Sequence, residues 1–363
     1  MCAGKESMMD KKLKVGVIGV GNIAASHIEA YRKNPDVELY AFCDINEKRL
    51  AMMGEKYEID KLYTNLDDML ALPELDAVSV CTWNNGHAPC TIAALNAGKH
   101  VLCEKPMCIT VEDAKAMQAA AEKNGKLLMI GFVRRFGPDM KILRELYEDG
   151  FFGDLYYSKV QYLRRNGNPG GWFGDKSRSG GGPLIDLGVH VIDFVRYLKG
   201  KPRAVSVYGA TFQKLYDRKN IRSKKMYRSS GAGKDDICDV EDLATALVRF
   251  EDGSVLSVEA SFSLNIKNDE GKMQFFGTKA GASLNPELEL YGELDGYMTD
   301  ISLKAETTMN LGNMFCQEIN HYVDCIRNGT ECISPACDGV EMMKILNAIY
   351  ESAKTGHEVL LDA

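Results

Sequence analysis

The sequence predicts an α/β protein in two parts, a doubly wound parallel sheet over residues 1–132 and an α+β unit over residues 133–363. Three observations carry this reading. Through the first third, short β-branched runs alternate with helix-patterned segments, the order that builds a parallel sheet covered on both faces. A glycine-rich turn separates the first of those runs from the first helix. Beyond residue 132 the runs lengthen and alternate apolar with polar, as strands half-buried in an antiparallel sheet do.

Leu13 to Ile18 reads as the first strand, Asn22 to Asn34 as a helix and Val37 to Cys43 as the second strand. Ala77 to Thr82 is a further strand. His87 to Ala97 follows as a helix stopped by Gly98, a residue type that takes the left-handed cap readily. Val101 to Cys103 is a strand, Val111 to Asn124 a helix closed by Gly125, and Leu127 to Gly131 the last strand of this set. In the second part, strands are expected at Leu155 to Leu163, Ala204 to Phe212, Leu243 to Phe250 and Val255 to Leu264. Glu251-Asp252-Gly253 is a hairpin turn, because Asp-Gly tolerates the positive φ such turns demand. Two helical patterns, Phe315 to Arg327 and Asp338 to Lys354, are expected on one side of that second sheet. The polar stretch Gln213 to Asp236 reads as an excursion, either mobile or a lid over a pocket.

The chain's 363 residues suit two domains, and 45% hydrophobic content fills two cores. A formal charge of −7 argues against nucleic acid as a partner, since phosphate-backbone binding needs concentrated Lys and Arg. The basic cluster from Arg222 to Arg228 is broken by Ser223 and Met226 and reads as a solvated loop. No apolar run reaches the roughly 18 residues of a membrane span. Met1 to Lys12 is polar and lacks the apolar core of a signal peptide, so a cytoplasmic location is expected. Eleven cysteines without a Cys-x-x-Cys pair read as reduced thiols, and no metal is expected.

Gly19, Gly21 and Ala24 form a G-x-G-x-x-A fingerprint directly after a strand and at the head of a helix, the context in which the motif has meaning. Gly19 permits the tight turn, Gly21 lets the backbone approach a pyrophosphate, and Ala24 allows close helix-to-strand packing. Free amides at the helix start, around Asn22 and Ile23, then face the phosphates. Asp44 closes the second strand, where a carboxylate accepts hydrogen bonds from both ribose hydroxyls. This is a Rossmann nucleotide site that favours NAD; a 2′-phosphate would meet Asp44 as a like charge, although Lys48 and Arg49 stand close by in sequence.

Glu104-Lys105-Pro106 follows a strand end, where open α/β sheets bind ligands, and Pro106 keeps Lys105 extended. Asp186 and His190 lie four apart at the start of an apolar helix, so one face carries both. Singly, these residues have ordinary readings: a surface cation, a charge favoured at a helix start, a hydrogen-bonded core histidine. Beside a nucleotide fingerprint they acquire roles. Hydride removal from a secondary alcohol requires a base for the hydroxyl proton, and histidine titrates nearest neutral pH, with a neighbouring carboxylate to orient it.

This arrangement resembles the glucose-fructose oxidoreductase/inositol dehydrogenase family, Gfo/Idh/MocA, over nearly the whole chain. The likeness runs through the fingerprint, Cys81 to His87, Ala97 to Pro106, Gly182 to Asp193, Val240-Glu241-Asp242 and Ile349 to Ala353. Trp83 departs from it, standing where the family usually shows proline. The resemblance implies cofactor contacts from Thr82, Trp83, Asn84, Asn85, His87, Glu104 and Lys105. It also implies that Lys105 positions nicotinamide and substrate hydroxyl, that His190 exchanges the proton with Asp186 in support, and that hydride passes between substrate carbon and nicotinamide C4. The second domain is then built on an open mixed sheet whose exposed face forms dimers, tetramers or larger homo-oligomers.

Substrate contacts are sought in the loop before the Asp/His helix, where Arg164, Asn168, Trp172 and Lys176 offer cations, an amide and an indole to a polyhydroxylated ring; an ordinary glycine-rich connection is the competing reading. Arg134 and Arg135 read as domain-interface residues. The expected activity is oxidation of a secondary hydroxyl of a sugar, cyclitol or glycoside, with the C3 hydroxyl a specific case. An NAD-dependent glycosidase, a reductase of an imine or enone, and a sensor without turnover are the competing functions.

Overall fold

The structure is a computed structural model that describes residues 11–361, apart from 216, 217, 219, 220, 222–227, 230, 234, 235, 285, 286, 306 and 308. The first part runs β1 (Leu13–Ile18), α1 (Asn22–Lys33), β2 (Val37–Cys43), α2 (Glu47–Tyr57), β3 (Leu62–Tyr63), α3 (Leu66–Leu70), β4 (Ala77–Val80), α4 (Asn84–Asn96), β5 (His100–Glu104), α5 (Val111–Asn124) and β6 (Leu128–Gly131). Strands β1, β4, β5 and β6 are buried almost throughout, as strands covered by helices on both faces must be. All six pair in parallel in the order β3-β2-β1-β4-β5-β6. Strand order reverses between β1 and β4, and the crevice beyond their carboxyl ends is where such sheets take a ligand. Helix α4 begins at Asn84 rather than His87, so both asparagines enter its first turn.

The second part runs α6 (Pro138–Glu148), β7 (Leu155–Leu163), α7 (Lys176–Ser179), α8 (Val189–Leu198), β8 (Ala204–Phe212), β9 (Leu243–Phe250), β10 (Val255–Ser261), β11 (Met273–Gly277), β12 (Gly281–Leu284), β13 (Leu288–Leu294), β14 (Tyr297–Ile301), α9 (Leu311–Asn328), α10 (Ala336–Thr355) and β15 (Val359–Leu360). Its sheet has the order β14-β13-β12-β11-β7-β10-β9-β8-β15; β7 and β10 pair in parallel and the other neighbours in antiparallel, so the expected mixed, largely antiparallel sheet is present. The Asp252-Gly253 hairpin joins β9 to β10, with Gly253 at φ +84°.

Helices α8 and α10 cover one face of this sheet, and α10 also touches α5 of the first part. The two late helices do not share that face as expected. Met314, Phe315, Ile319, Tyr322 and Val323 of α9 pack with Val15, Ala30, Tyr31 and Leu102, so α9 belongs to the first sheet's helical layer. Within the Gln213 to Asp236 excursion, Ser229 N–H donates to the Pro169 carbonyl at 2.9 Å and Asp236 accepts from Gly171 N–H at 2.6 Å, which lays those residues against the glycine-rich loop. Positions 222–227 of the basic cluster lie outside the described residues. Among the described residues, no helix is long and apolar enough to cross a membrane.

Candidate active site

The glycine turn between β1 and α1 has two kinds of glycine. Gly19 sits at φ +81°, and a Cβ there would lie 2.9 Å from the backbone of Cys81 and Thr82, so the fold itself demands glycine. Gly21 has ordinary dihedrals, φ −69° and ψ −164°, and an added Cβ would meet Cys81 O alone, at 3.9 Å. Space is therefore kept clear above Gly21 that no protein atom fills, beside the start of α1, whose cap position carries no side-chain hydrogen bond. Asp44 ends β2 with Oδ2 accepting from Val20 N–H at 2.8 Å and Oδ1 from Asn46 N–H at 2.8 Å. Arg49 donates to the Val20 carbonyl at 2.6 Å and to Asn22 Oδ1 at 3.1 Å, which commits its guanidinium to bracing the turn. An open glycine shelf, a helix start without a side-chain cap and a carboxylate at the second strand end fit a dinucleotide.

Three of the residues expected to touch the cofactor are instead turned into the protein. Asn84 is buried and donates to the Ser179 carbonyl at 2.7 Å. His87 is buried with Nδ1 2.7 Å from the Pro106 carbonyl and Nε2 3.2 Å from that of Thr82. Glu104 is buried on the inward side of β5, 2.7 Å from His27 Nε2. Strand alternation explains Glu104: a residue beside the outward Lys105 must point the other way. These three brace the crevice walls. Thr82 is half-buried, Asn85 exposed, and Trp83 is 40% exposed under the Arg178 guanidinium. The Asn84–Ser179 and Trp83–Arg178 contacts tie the start of α4 to α7, joining the nucleotide side of the crevice to the substrate loop.

Lys105 and Asp186 meet across the crevice. The Lys105 ammonium donates to Asp186 Oδ1 at 2.9 Å and to the Asp186 carbonyl at 3.0 Å, and the Lys105-Pro106 peptide is cis. Asp186 does not orient His190 as the four-residue spacing suggested: among the described residues no hydrogen bond joins them. Leu184–Gly188 is a π turn running into α8, and its wider winding displaces the i, i+4 alignment of a regular helix. His190, half-buried near the start of α8, is held well below the usual histidine range by burial and then by the charges of Lys105, Arg134 and Arg164. Its ring is neutral at neutral pH, the form that accepts a proton.

The scaffold under this helix includes residues that sequence reading gave no role at the site. Glu241, buried, accepts from Gly182 N–H at 2.9 Å, Leu184 N–H at 3.1 Å and Tyr350 O–H at 2.8 Å. Burial raises its carboxyl. A Cβ at Gly181 would lie 2.0 Å from Tyr350 Oη and one at Gly182 would lie 2.4 Å from Glu241 O, so the glycines admit that clamp. Arg135 donates to both oxygens of Asp193, on α8, at 3.0 and 2.5 Å, and to Asp338 at 2.6 Å. Arg134 donates to Asp139 at 2.7 Å, so the polar partners of both arginines, expected at a domain interface, lie within residues 133–363. Glu241 and Tyr350 lie in the segments that carried the family resemblance, the signal by which they were findable.

In the substrate loop, Arg164 is half-buried over the Tyr162 ring, with Nη1 donating to Gly167 O at 3.2 Å. Asn168 Oδ1 accepts from Gly170 N–H at 2.8 Å, so this amide shapes the loop. Trp172 stacks on Phe173 with centroids 4.0 Å apart, which covers one indole face. Lys176 is exposed at the start of α7.

A glycine turn open to a dinucleotide, a lysine held by a carboxylate and a neutral histidine are the parts that a nucleotide-dependent oxidoreductase of alcohols requires. Residues 13–132 match the family described as "Oxidoreductase family, NAD-binding Rossmann fold", and residues 140–283 match the "GFO/IDH/MocA C-terminal domain". The chain belongs to the Gfo/Idh/MocA family of NAD-binding oxidoreductases. It is 34% identical over 360 residues to the D-glucoside 3-dehydrogenase of Escherichia coli (strain K12), covering 98% of this chain and 100% of that relative. The aldose-aldose oxidoreductase from Caulobacter crescentus, solved with glycerol, superposes with a TM-score of 0.80 at 27% identity over 97% of this chain and 100% of that one. A levoglucosan dehydrogenase solved with NADH shares the fold at a TM-score of 0.85 and 24% identity, over 97% of this chain and 100% of that one. The protein is thus an NAD-linked oxidoreductase of a family whose members include sugar and cyclitol dehydrogenases.

Proposed function

We infer that this protein oxidises a secondary hydroxyl of a sugar, cyclitol or glycoside to a ketone, with the C3 hydroxyl of a glycoside as the first case to test. The observation that carries this is the approach of Lys105 to the segment leading into α8: its ammonium bonds Asp186 at 2.9 Å, and its charge acts on the His190 ring. The C3 position rests on the likeness to the D-glucoside 3-dehydrogenase.

Lys105 donates to the substrate oxygen and favours its negative charge as the proton leaves. His190 accepts that proton. Asp186 holds the lysine in place. NAD, cradled by Gly19, Gly21, Asn22, Ile23 and Asp44, supplies the hydride acceptor when bound. Arg164, Trp172 and Lys176 meet the substrate from the loop, which Asn168 shapes. The relatives named above carry dehydrogenase or oxidoreductase names, which favours redox turnover over glycosidase or sensor roles. Free thiols suit the reducing cytoplasm. The face of the second sheet opposite its helices suits a homo-oligomer: Tyr208 there stands directly opposite Leu247, and Tyr157 stacks on Phe276 at 5.5 Å.

The test is a panel of glycosides, free sugars and inositols incubated with purified protein and NAD. NADH formation with a product two daltons lighter is expected from at least one glycoside. No mass change across the panel would overturn the reading.

A further inference from the structure

Behind Lys105 lies a polar cluster that the reaction as described does not use. His27 of α1, Glu104 of β5 and Glu318 of α9 are all buried, His27 and Glu318 completely, and one side-chain atom of each lies within 4.8 Å of those of the other two. His27 Nε2 sits 2.7 Å from Glu104 Oε1, and its Nδ1 lies 3.1 Å from Ser79 Oγ, which also bonds Tyr31 Oη at 2.8 Å. Glu104 Oε2 accepts from the backbone N–H of Lys105 at 3.1 Å. Glu318 contrasts with these, because neither of its carboxyl oxygens has a hydrogen-bond partner among the described residues.

Charge arithmetic decides the state of this cluster. An ionised carboxylate, wholly buried and without a donor, costs several kcal/mol, so such a group takes up a proton instead. Glu318 faces His27 and Tyr31 from α1, Cys81 after β4 and Glu104 from β5; Tyr322 lies on its own helix. Of these Glu104 is the anion. Burial raises the Glu318 carboxyl well above the usual range, and Glu104 raises it further. Burial also opposes ionisation of Glu104, but the His27 hydrogen bond and the nearby Lys105 ammonium outweigh it and bring that carboxyl below its ordinary value.

We propose that Glu318 is a positioning residue: as a neutral acid packed against the His27–Glu104 pair, it leaves Glu104 the cluster's single anion and so fixes the backbone amide from which Lys105 projects. The cluster links α1, which begins at the nucleotide shelf, to the strand that ends at the lysine. Helix α9, from the far end of the chain, closes it. This rests on the reading that Lys105 acts on the substrate.

The experiment compares E318A, E318Q and E104Q in the full chain. E318A and E104Q are expected to lower kcat by about tenfold to a hundredfold, the scale on which small displacements act, with KM for NAD little changed. E318Q, a neutral isostere, restores kcat and leaves the pH profile in place. Thermal unfolding of wild type and E318Q from pH 5 to 8 tests the protonation state without any substrate. An acid whose folded pKa is raised loses stability as pH climbs above its unfolded value of about 4.3, so the advantage of E318Q grows with pH. E318Q as impaired as E318A, a stability gap that does not widen with pH, or a stoichiometric divalent metal in the wild type lost in E318Q would each overturn the proposal. Absence of turnover on every sugar would overturn the functional reading and the positioning role with it, whereas the melting series would still show whether Glu318 is neutral.

Discussion

The ammonium of Lys105 and the carboxylate of Asp186 lie 2.9 Å apart, so the acid that spacing assigns to the histidine belongs to the lysine. Asp186 then acts through Lys105. D186N is expected to lower kcat by about tenfold or more in the wild type, because the ammonium loses its charged anchor. In a K105M background the same change is expected to cost little. Steady-state kinetics of the double-mutant cycle check this, and additive losses would show that Asp186 serves a second group.

His190 is held well below the ordinary histidine value by burial and by Lys105, Arg134 and Arg164. The ring is therefore unprotonated through the range where a free histidine of pKa about 6.5 would titrate, as a base there must be. The acid limb of kcat/KM is expected below pH 6.5. R164M removes a neighbouring cation, which eases protonation of the ring and moves that limb upward. H190N is expected to keep NAD binding and lose about two powers of ten or more in turnover. A pH–rate profile with its acid limb at or above 6.5 would count against His190 as the base.

The clear space above Gly21 separates folding from binding. G21A places a methyl where the nearest protein atom is Cys81 O at 3.9 Å, on a backbone that alanine adopts without strain. Stability is expected to change by no more than about 1 kcal/mol, in either direction. NAD affinity, by contrast, should fall by about tenfold or more, since the methyl stands where the pyrophosphate approaches. Calorimetric titration beside thermal unfolding reads both, and undiminished NAD affinity would move the diphosphate away from this turn.

What the sequence made legible was local. β1, the glycine turn, Asp44 and the Asp252-Gly253 hairpin are each set by a few neighbouring residues with one physical reason apiece. What it hid was long-range. The periodicity of α9 shows that it has an apolar face but not which sheet receives it, and that face met Val15 and Tyr31. The partner of Asp186 was misjudged because the spacing argument assumes a regular helix where a π turn stands. Glu104 was counted among cofactor contacts although its neighbour Lys105 had to face the other way. Nothing about Glu318 in sequence marks it as a buried acid, and Arg135 finds its partners 58 and 203 residues away.

That arginine also permits a stability test remote from the chemistry. Arg135 is buried between Asp193 and Asp338, so R135M takes the paired cation from Asp193 and leaves Asp338 with Lys201 alone, at 2.8 Å. Breaking a buried pair from one side costs about 3–5 kcal/mol. Denaturant unfolding should show that loss, and a change below about 1 kcal/mol would mean the carboxylates find other partners.

The open face of the second sheet supports a prediction about assembly. Tyr208 and Leu247 are about half exposed, stand directly opposite each other in register on β8 and β9, and lie away from α8 and α10. With Tyr157 stacked on Phe276 further across the sheet, they form apolar surface of the kind that marks an interface. Light scattering on the eluting protein is expected to give a dimer or larger species. L247E combined with Y208E places two charges where like faces meet, which should shift the population to monomer. Because Lys105 and His190 lie outside this face, the monomer should still bind NAD; a wild type that elutes as a monomer at tens of micromolar would leave these side chains without that role.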